Sequence, residues 1–208
     1  MAVRSVVYVD GFNLYYGAVR GTRHKWLDLE KYFTMLRHGE QIVAVRYFTA
    51  LVNGPTRPNQ ETYLRALATR PLVEVVLGKF KQKQVPCRVV PCTHAGTRFF
   101  SVPEEKRTDV NIAVRLVDDA YQGICERFVV VSGDSDLVPA VNLIKHRFPE
   151  KQVVVYVPSN NPVRGAAVEL RGAADKHRTL PLNILGRAQF PAQLPDGAGG
   201  VIHKPADW

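Results

Sequence analysis

The chain has 208 residues, of which 46% are apolar and 23% are charged, and this balance is typical of one globular domain with a proper core. Its 28 Lys and Arg residues exceed its 19 Asp and Glu residues, leaving a net charge of +9. Such an excess favours an anionic partner, most often nucleic acid, although a generally basic proteome would produce the same balance.

Several other classes are excluded by the same inspection. No apolar run approaches the ~20 residues that a membrane span needs. Residues 1–10 form a strand pattern and show no signal-cleavage site. Three cysteines are too few, and odd in number, for a disulfide scaffold. We therefore expect a cytoplasmic protein with reduced thiols and no membrane partner.

Strand and helix patterns alternate along most of the chain. Strands are predicted over 3–10, 42–52, 72–77, 127–132 and 152–157, and helices over 11–19, 28–37, 58–69, 106–121, 136–147 and 162–170. Asp28 is placed to cap the second helix. This alternation implies βαβ units and an α/β fold with a mainly parallel sheet.

Two segments break the alternation. Residues 78–103 read as a basic extended excursion or hairpin ahead of the fourth core strand. A short apolar stretch, 179–185, is predicted as an edge strand. Residues 186–208 are rich in Pro and Gly and are expected to form a flexible tail. The predicted organisation is one domain over 1–185 followed by the tail 186–208.

Acidic residues lie near the expected strand ends in three separate segments. Asp10 follows Val6-Val7-Tyr8-Val9, and Asp134 and Asp136 follow Phe128-Val129-Val130-Val131. Asp109 falls in the first turn of the fourth helix, where the helix dipole favours a negative charge. Ligands of open α/β sheets bind outside the carboxyl ends of the strands. Gathered carboxylates need a cation and suit Mg²⁺ or Mn²⁺, and on a basic protein they suggest phosphodiester chemistry.

Each acid also has a purely structural interpretation. The Asp10-Gly11 pair is consistent with a turn, and Asp134 or Asp136 with a helix cap. Asn13 and Ser132 lie beside these acids in sequence and are candidates to orient a water or contact phosphate, with local turn bonding as the equal alternative. Three unrelated segments that place acids at the same edge favour function.

The motifs Asp10-Gly11-Phe12-Asn13-Leu14, Glu105 to Ala113 and Val131-Ser132-Gly133-Asp134-Ser135-Asp136-Leu137 together resemble the NYN domain. This PIN-like nuclease group includes the bacterial LabA/DUF88 proteins. The resemblance covers about residues 3–170, with the three motifs in the right order.

The resemblance implies a PIN-like three-layer α/β/α sandwich and metal-dependent hydrolysis of RNA. It places the metal ligands at Asp10, Asp109 and Asp134, with Asp136 beside them as a ligand or water-orienting base, and adds Asn13 to the catalytic group. The implied mechanism is in-line attack of a water on a phosphodiester, leaving 5′-phosphate and 3′-hydroxyl ends. PIN-like domains often pair, so the resemblance leaves room for a homodimer.

The excursion carries cations interleaved with aromatic residues. Lys79, Lys81 and Lys83 alternate in sequence and should share one face of an extended chain. Such a pattern suits a phosphate backbone with bases stacked on rings, and the alternative is a solvated face with its aromatics turned inward. The predicted substrate-binding residues are Lys79, Lys81, Lys83, Lys106, Arg107 and Ser132, with Arg164 and Arg171 as less telling additions.

Cys87, Cys92 and His94 have the spacing C-x₄-C-x-H, which is not a standard zinc pattern and lacks a fourth ligand. Some NYN relatives carry a small zinc ribbon at this place. We interpret the trio as a degenerate remnant of it rather than an occupied site, with Cys125 and His24 as distant candidates for a further ligand.

Two further functions remain open. A PIN-like fold can hold RNA or a partner without cutting it. Some proteins that resemble this family are described as pyridine-ring hydroxylases, although this chain has no Gly-x-Gly-x-x-Gly after its first strand and no evident iron triad.

Overall fold

The computed structural model describes residues 2–159 and 167–208. The strands are β1 (Arg4–Asp10), β2 (Gln41–Thr49), β3 (Val73–Leu77), β4 (Lys79–Pro86), β5 (Phe99–Lys106), β6 (Arg127–Val131), β7 (Gln152–Val157), β8 (Lys176–Thr179), β9 (Gln193–Pro195) and β10 (Val201–His203). The α-helices are α1 (Gly11–Leu14), α2 (Leu29–Leu36), α3 (Arg57–Ala68), α4 (Thr108–Gln122), α5 (Val138–Arg147) and α6 (Val168–Ala173). A π-turn (Tyr15–Val19) extends α1, and a 3₁₀ turn (Ser135–Leu137) precedes α5.

Six parallel strands form the central sheet in the order β3-β2-β1-β6-β7-β8. Strands β2 and β3 follow β1 on one side of the sheet, and β6, β7 and β8 follow it on the other side. The order of the strands therefore reverses between β1 and β6. In a sheet of this kind, the crevice at that reversal is the usual place for a ligand.

Helices cover both faces of the sheet. Alternate side chains of a strand point to opposite faces, so Val7 and Val9 pack with α2, α3 and the C-terminal segment, whereas Val6 and Tyr8 pack with α4, α5 and α6. Burying one such side chain contributes about 1.5–3 kcal/mol. The predicted three-layer α/β/α sandwich with a mainly parallel sheet is confirmed.

The helix ends follow from local chemistry. Asp28 caps α2, because its carboxylate accepts a hydrogen bond from the Lys31 amide at 3.1 Å. Helix α4 begins at Thr108 rather than at the predicted Lys106, since Arg107 has a φ of 81°. A left-handed residue ends the extended run of β5 and turns the chain into the helix.

The basic excursion is a two-stranded antiparallel hairpin of β4 and β5, separate from the central sheet. Lys79 pairs with Lys106, and Pro86 pairs with Phe99. The hairpin precedes α4 and β6, the fourth strand of the central sheet along the chain. The predicted excursion is therefore present, with its second strand reaching Lys106.

The C-terminal segment differs from the expected flexible tail. It contains a 3₁₀ turn (Leu185–Ala188) and the β9–β10 hairpin. Phe190, Leu194 and Ile202 are buried in the core beside α2 and α3. The indole of Trp26 donates a hydrogen bond to the Pro191 carbonyl at 2.8 Å. Pro and Gly make the turns here, and apolar residues between the turns pack on the domain.

The edge strand also differs from prediction. The paired strand is β8 (Lys176–Thr179), not the apolar stretch 179–185. Leu180 and Leu185 from that stretch are buried in the core instead. An edge strand exposes one side to water and tolerates charged residues. Because β8 is polar, it lacks the apolar pattern by which a strand is predicted from sequence. The first part of the predicted helix 162–170 and Arg164 lie outside the described residues.

Among residues 2–159 and 167–208, no helix has the length and apolar character needed to cross a bilayer.

Candidate active site at the reversal of the sheet

The acidic residues lie at the carboxyl ends of β1 and β6, where the strand order reverses. Asp10 is the last residue of β1, and Asp134 follows β6 by three residues. Asp10 continues the alternation of Val6 and Tyr8, whose side chains face the α4 layer. Asp109, in the first turn of α4, reaches the same place from that layer.

Three carboxylates converge closely enough to share a metal ion. One oxygen from each of Asp109, Asp134 and Asp136 lies within 4.8 Å of the others. Asp109 and Asp134 are half-buried, while Asp136 is exposed. Carboxylate oxygens in this arrangement suit a hard divalent cation.

Asp10 lies beside this trio and is held by hydrogen bonds. One of its oxygens accepts from the Asn13 amide at 3.0 Å. The other accepts from the Asn13 side chain at 2.5 Å and from the Ser132 hydroxyl at 2.9 Å. The Asn13 side-chain oxygen, Oδ1, accepts a hydrogen bond from the Gly133 backbone amide at 3.0 Å. Asn13 and Ser132 therefore tie the end of β1 to the turn after β6.

Ser132 was predicted to contact the substrate, but the structure buries it. It is fully buried, and its hydroxyl also accepts a hydrogen bond from the Asp134 amide at 3.1 Å. Its position lets it orient Asp10 and Asp134, but it leaves no exposed group for a substrate. The sequence showed its proximity to the acids and not its burial.

The electrostatics of the cluster are unfavourable without a cation. Burial, followed by the charges of Asp134, Asp10, Glu105 and Asp136, raises the pKa of Asp109 from 3.8 to about 6. Burial also raises the pKa of Asp10, against the opposing effect of its hydrogen bonds from Asn13 and Ser132. Carboxylates that repel one another at a strand-end crevice are typical of a metal or catalytic site.

The structural interpretation of two acids also holds. Asp10 caps α1 through the Asn13 amide, and Asp134 caps the 3₁₀ turn by accepting from the Asp136 amide at 2.9 Å. The caps position both carboxylates at the reversal of the sheet. Local capping and membership of the cluster are therefore two uses of the same side chains.

A crevice of about 670 Å³ opens at the acids, with Asp10, Asp109 and Asp134 in its lining. Phe12, Tyr16 and Phe80 line it as well. The Phe12 ring stacks on that of Tyr16 at 6.5 Å and meets that of Phe80 edge-on at 5.5 Å. The acids therefore adjoin an aromatic wall.

The face of the hairpin that lines this crevice carries no Lys or Arg, and its one charged residue is an acid. Opposed residues of an antiparallel pair lie on the same face, and the pairs Phe80–Glu105 and Gln82–Pro103 line the crevice. The predicted lysines Lys79, Lys81 and Lys83 do share a face, but they alternate with Phe80 and Gln82. They belong with Glu104 and Lys106 to the opposite side of the hairpin.

Part of this charge is compensated locally. Glu104 forms ion pairs with Lys83 at 3.3 Å and with Lys106 at 3.1 Å. Arg107 is exposed at the junction that leads to Asp109. The structure thus brings the four predicted acids and Asn13 together, and places the predicted lysines on the outer face of the neighbouring hairpin.

Sequence reasoning did not assign a role to Glu105, which lines the crevice. Its carboxylate accepts hydrogen bonds from the amide of Thr108, at 3.1 Å, and from the Thr108 hydroxyl. It thus caps the start of α4 and adds negative charge beside Asp109. Its position two residues ahead of Arg107-Thr108-Asp109 was the sequence feature that could have indicated a place near Asp109.

The thiol and imidazole groups of the hairpin do not form a second metal cluster among the described residues. Cys87 and Cys92 lie at the end of β4 and in the loop that follows it. Cys125 is buried in the α4 side of the core, and burial raises the pKa of its thiol to about 11. Such a thiol is a poor ligand and a poor nucleophile.

The family model of the NYN domain matches residues 4–181. A curated relative, 6-hydroxy-3-succinoylpyridine 3-monooxygenase HspA from Pseudomonas putida, is 29% identical over 241 residues, covering 99% of this chain and 75% of its own length. A solved Vibrio parahaemolyticus protein of unknown function shares the fold with a TM-score of 0.53 and 20% identity, over 86% of this chain and 94% of its own. The match over most of the domain, with the acids in their expected places, shows that this chain belongs to the NYN domain family.

Proposed function

We propose that this protein is a metal-dependent ribonuclease. The observation that carries the proposal is the convergence of Asp109, Asp134 and Asp136, whose oxygens lie within 4.8 Å of one another. Within the described residues, no Lys, Arg or His side chain forms an ion pair with any of the three. Membership of the NYN family places the fold in the PIN-like nuclease superfamily and supports a phosphodiester as the substrate.

The residues present fit a divalent ion. All the donors are carboxylate oxygens, which suits Mg²⁺ or Mn²⁺ better than Zn²⁺. The raised pKa of Asp109 also fits, because a bound cation would restore its charged form. A divalent ion there would screen the phosphate and lower the pKa of a water.

The remaining residues of the site have positioning roles. Asn13 and Ser132 orient the Asp10 carboxylate by donating hydrogen bonds to it, and these bonds oppose the rise in its pKa that burial causes. Asp136 is the exposed member of the trio and is placed to accept a proton from the attacking water. Gly133, in the loop after β6, ties that loop to α1 by donating its backbone amide to the Asn13 side chain.

RNA binding would draw on the basic charge of the whole chain. The outer face of the hairpin, with Lys79, Lys81, Lys83 and Lys106, is turned away from the crevice and is suited to phosphates farther along the strand. Arg107 lies closer to Asp109 in the chain. Neutralising these cations should weaken RNA binding and make it less dependent on salt, by about one counterion for each phosphate that the protein no longer neutralises.

The direct test is cleavage of a labelled, mixed-sequence single-stranded RNA with Mn²⁺ or with EDTA, using wild type and Asp10→Asn in parallel. We expect cleavage that needs the metal and is lost in the variant. A wild-type rate equal to that of Asp10→Asn would refute the proposal. RNA binding with no cleavage under any metal would identify a binding module instead.

The curated relative motivates one second candidate, a ring hydroxylase. That relative is named as a monooxygenase of 6-hydroxy-3-succinoylpyridine, and its similarity extends over nearly the whole of this chain. A small aromatic-walled cavity beside the acids would suit a pyridine ring. Oxygen consumption that depends on a hydroxypyridine, together with no RNA cleavage, would favour this candidate over the ribonuclease.

A further inference from the structure

A second cavity, of about 280 Å³, adjoins the acidic crevice at the carboxyl ends of β1 and β2. Six aromatic side chains contribute to its wall, namely Phe12, Tyr15, Tyr16, Tyr47, Tyr63 and Trp208. Phe12 and Tyr16 also line the acidic crevice, as does Val52. The cavity and the crevice are therefore neighbours that share one wall.

The size and the lining of the cavity indicate the kind of group it takes. Ligand pockets commonly measure about 300–1,000 Å³, so this one accommodates a single small ring system. Flat aromatic walls favour planar rings, which pack on them by stacking or edge-on. A phosphodiester of RNA joins two nucleotides, and the base of each nucleotide is a planar ring close to that phosphate.

The inner wall is held rigidly. Tyr47 and Tyr63 are buried, and their rings meet edge-on at 6.2 Å. The Tyr63 hydroxyl donates to the Leu27 carbonyl at 2.8 Å, and its ring lies 5.3 Å from that of Trp208. Gly11 lies against Tyr47 so closely that a Cβ there would come within 2.8 Å of the ring. A preformed wall reduces the entropy cost of binding a ring.

Several side chains in the lining are polar or charged, and Asn59 is one that has spare hydrogen-bonding capacity. The Gln60 amide is used internally, accepting from the Val52 amide at 2.8 Å and donating to the Ala50 carbonyl at 3.0 Å. Asn59 lines the cavity and makes no side-chain hydrogen bond within residues 2–159 and 167–208. An amide offers both a donor and an acceptor, which is the pattern on the edge of a base.

We propose that this cavity binds one unpaired nucleobase of the RNA strand whose phosphate lies at Asp109 and Asp134. The inference rests on the proposed ribonuclease function and adds a substrate class to it. A base that enters the cavity must leave its stack and its pair, so the substrate is single-stranded at this nucleotide. Phe12 and Tyr16 line both the crevice and the cavity, so the RNA strand passes along these two rings from the acids to the cavity.

The two tryptophans of the chain provide the measurement. Trp208 lines the cavity, and Trp26 packs edge-on against it at 6.3 Å, so intrinsic fluorescence reports on this place. The experiment titrates Asp109→Asn, in EDTA, with a short single-stranded RNA and with matched strands carrying an abasic nucleotide at each position in turn. Cleavage plays no part in this readout, so it stands apart from the test of the ribonuclease.

We expect saturable quenching by the intact strand, and affinity about 10-fold weaker for one abasic position, on the scale that base–aromatic stacking contributes. Adding Tyr16→Ala or Asn59→Ala should abolish the difference between intact and abasic strands. Tyr121→Ala is the matched control, because Tyr121 is 64% exposed and Tyr16 57% exposed, and Tyr121 lies on α4 away from the cavity.

Equal affinities for the intact strand and every abasic strand would overturn the proposal. So would quenching by 6-hydroxynicotinate with none by RNA, which would assign the cavity to a free pyridine ring. Quenching that depends on one base, in a protein whose wild type cuts no RNA, would support base binding while the ribonuclease itself fails.

Discussion

Two carboxylates of helix α4, Asp109 and Asp119, lie in opposite electrostatic environments. Asp119 is fully buried, yet it accepts two hydrogen bonds from the Arg46 guanidinium, at 2.8 and 3.0 Å, and one from the Tyr8 hydroxyl at 2.6 Å. Asp109, in the first turn, is less buried and lies among other acids. The more deeply buried charge is the better compensated one.

The comparison separates a structural acid from a functional one. Arg46 also pairs with Glu74, so Asp119 belongs to a closed network beneath α4. The trio around Asp109 has no such partner in the described chain, and burial together with repulsion from the neighbouring acids raises the pKa of Asp109. A charge left unpaired at a strand-end crevice is available for a ligand from outside.

The largest expected effect is on catalysis. Asp109→Asn should reduce metal-dependent RNA cleavage about 1,000-fold or more, equivalent to ~4 kcal/mol of transition-state stabilisation, because it removes one carboxylate of the trio. Single-turnover rates in saturating Mn²⁺ measure it. Asp118→Asn, at an acid of the same helix whose side chain is 46% exposed, should keep the wild-type rate. A variant rate within a few-fold of wild type would remove Asp109 from the site.

Asp119→Asn should act on stability instead. It removes the buried one of the two carboxylates that pair with Arg46, which costs about 3–5 kcal/mol in the free energy of unfolding. Urea denaturation of wild type and variant measures the difference, with Asp118→Asn as the surface control. A loss below about 1 kcal/mol would mean that Glu74 alone can compensate Arg46.

Mn²⁺ should stabilise the wild type through the same trio. At about 100 times the dissociation constant, a metal that binds only the folded chain adds ~2.7 kcal/mol. Thermal unfolding with Mn²⁺ and with EDTA should differ in the wild type and in Asp118→Asn, and not in Asp109→Asn. An equal shift in Asp109→Asn would place the metal elsewhere.

The smallest effect concerns pH in the absence of metal. Because the pKa of Asp109 is raised from 3.8 to about 6, the contribution of this carboxyl to stability is complete below pH 3.8 and is lost as pH rises through about 6. In EDTA, Asp109→Asn should therefore melt above wild type at neutral pH, by a shift on the order of 2–4 °C.

The gap between Asp109→Asn and wild type should close as pH falls towards about 4, where both side chains are neutral. Melting curves across this range, with Asp118→Asn as the reference, test it. A gap that stays constant with pH would assign the difference to packing rather than to charge.

Much of the site was predictable because strand ends are legible in a sequence. Asp10 and Asp134 follow β-branched runs, and parallel strands bring their carboxyl ends to one edge. Asp109 was found from its place in the first turn of α4 and from the family motif. The burial of Ser132 was not found, since a hydroxyl beside an acid looks the same whether it faces water or the core.

The hairpin shows where periodicity stops being informative. Alternation correctly predicted that Lys79, Lys81 and Lys83 share a face, but an isolated hairpin has two faces and alternation does not say which one meets the crevice. Composition was equally silent about the C-terminal segment, where Phe190 and Ile202 are buried despite the surrounding Pro and Gly.

The amino-acid sequence by itself determined the order of the elements, the three-layer class and the convergence of four acids, because these follow from local periodicity and from the single edge at which parallel strands end. Only the tertiary structure decided which acid is paired, which hairpin face is inward and that an aromatic cavity adjoins the acids. These depend on contacts between distant segments, such as Asp119 with Arg46 or Tyr63 with Trp208, and no local pattern encodes such contacts.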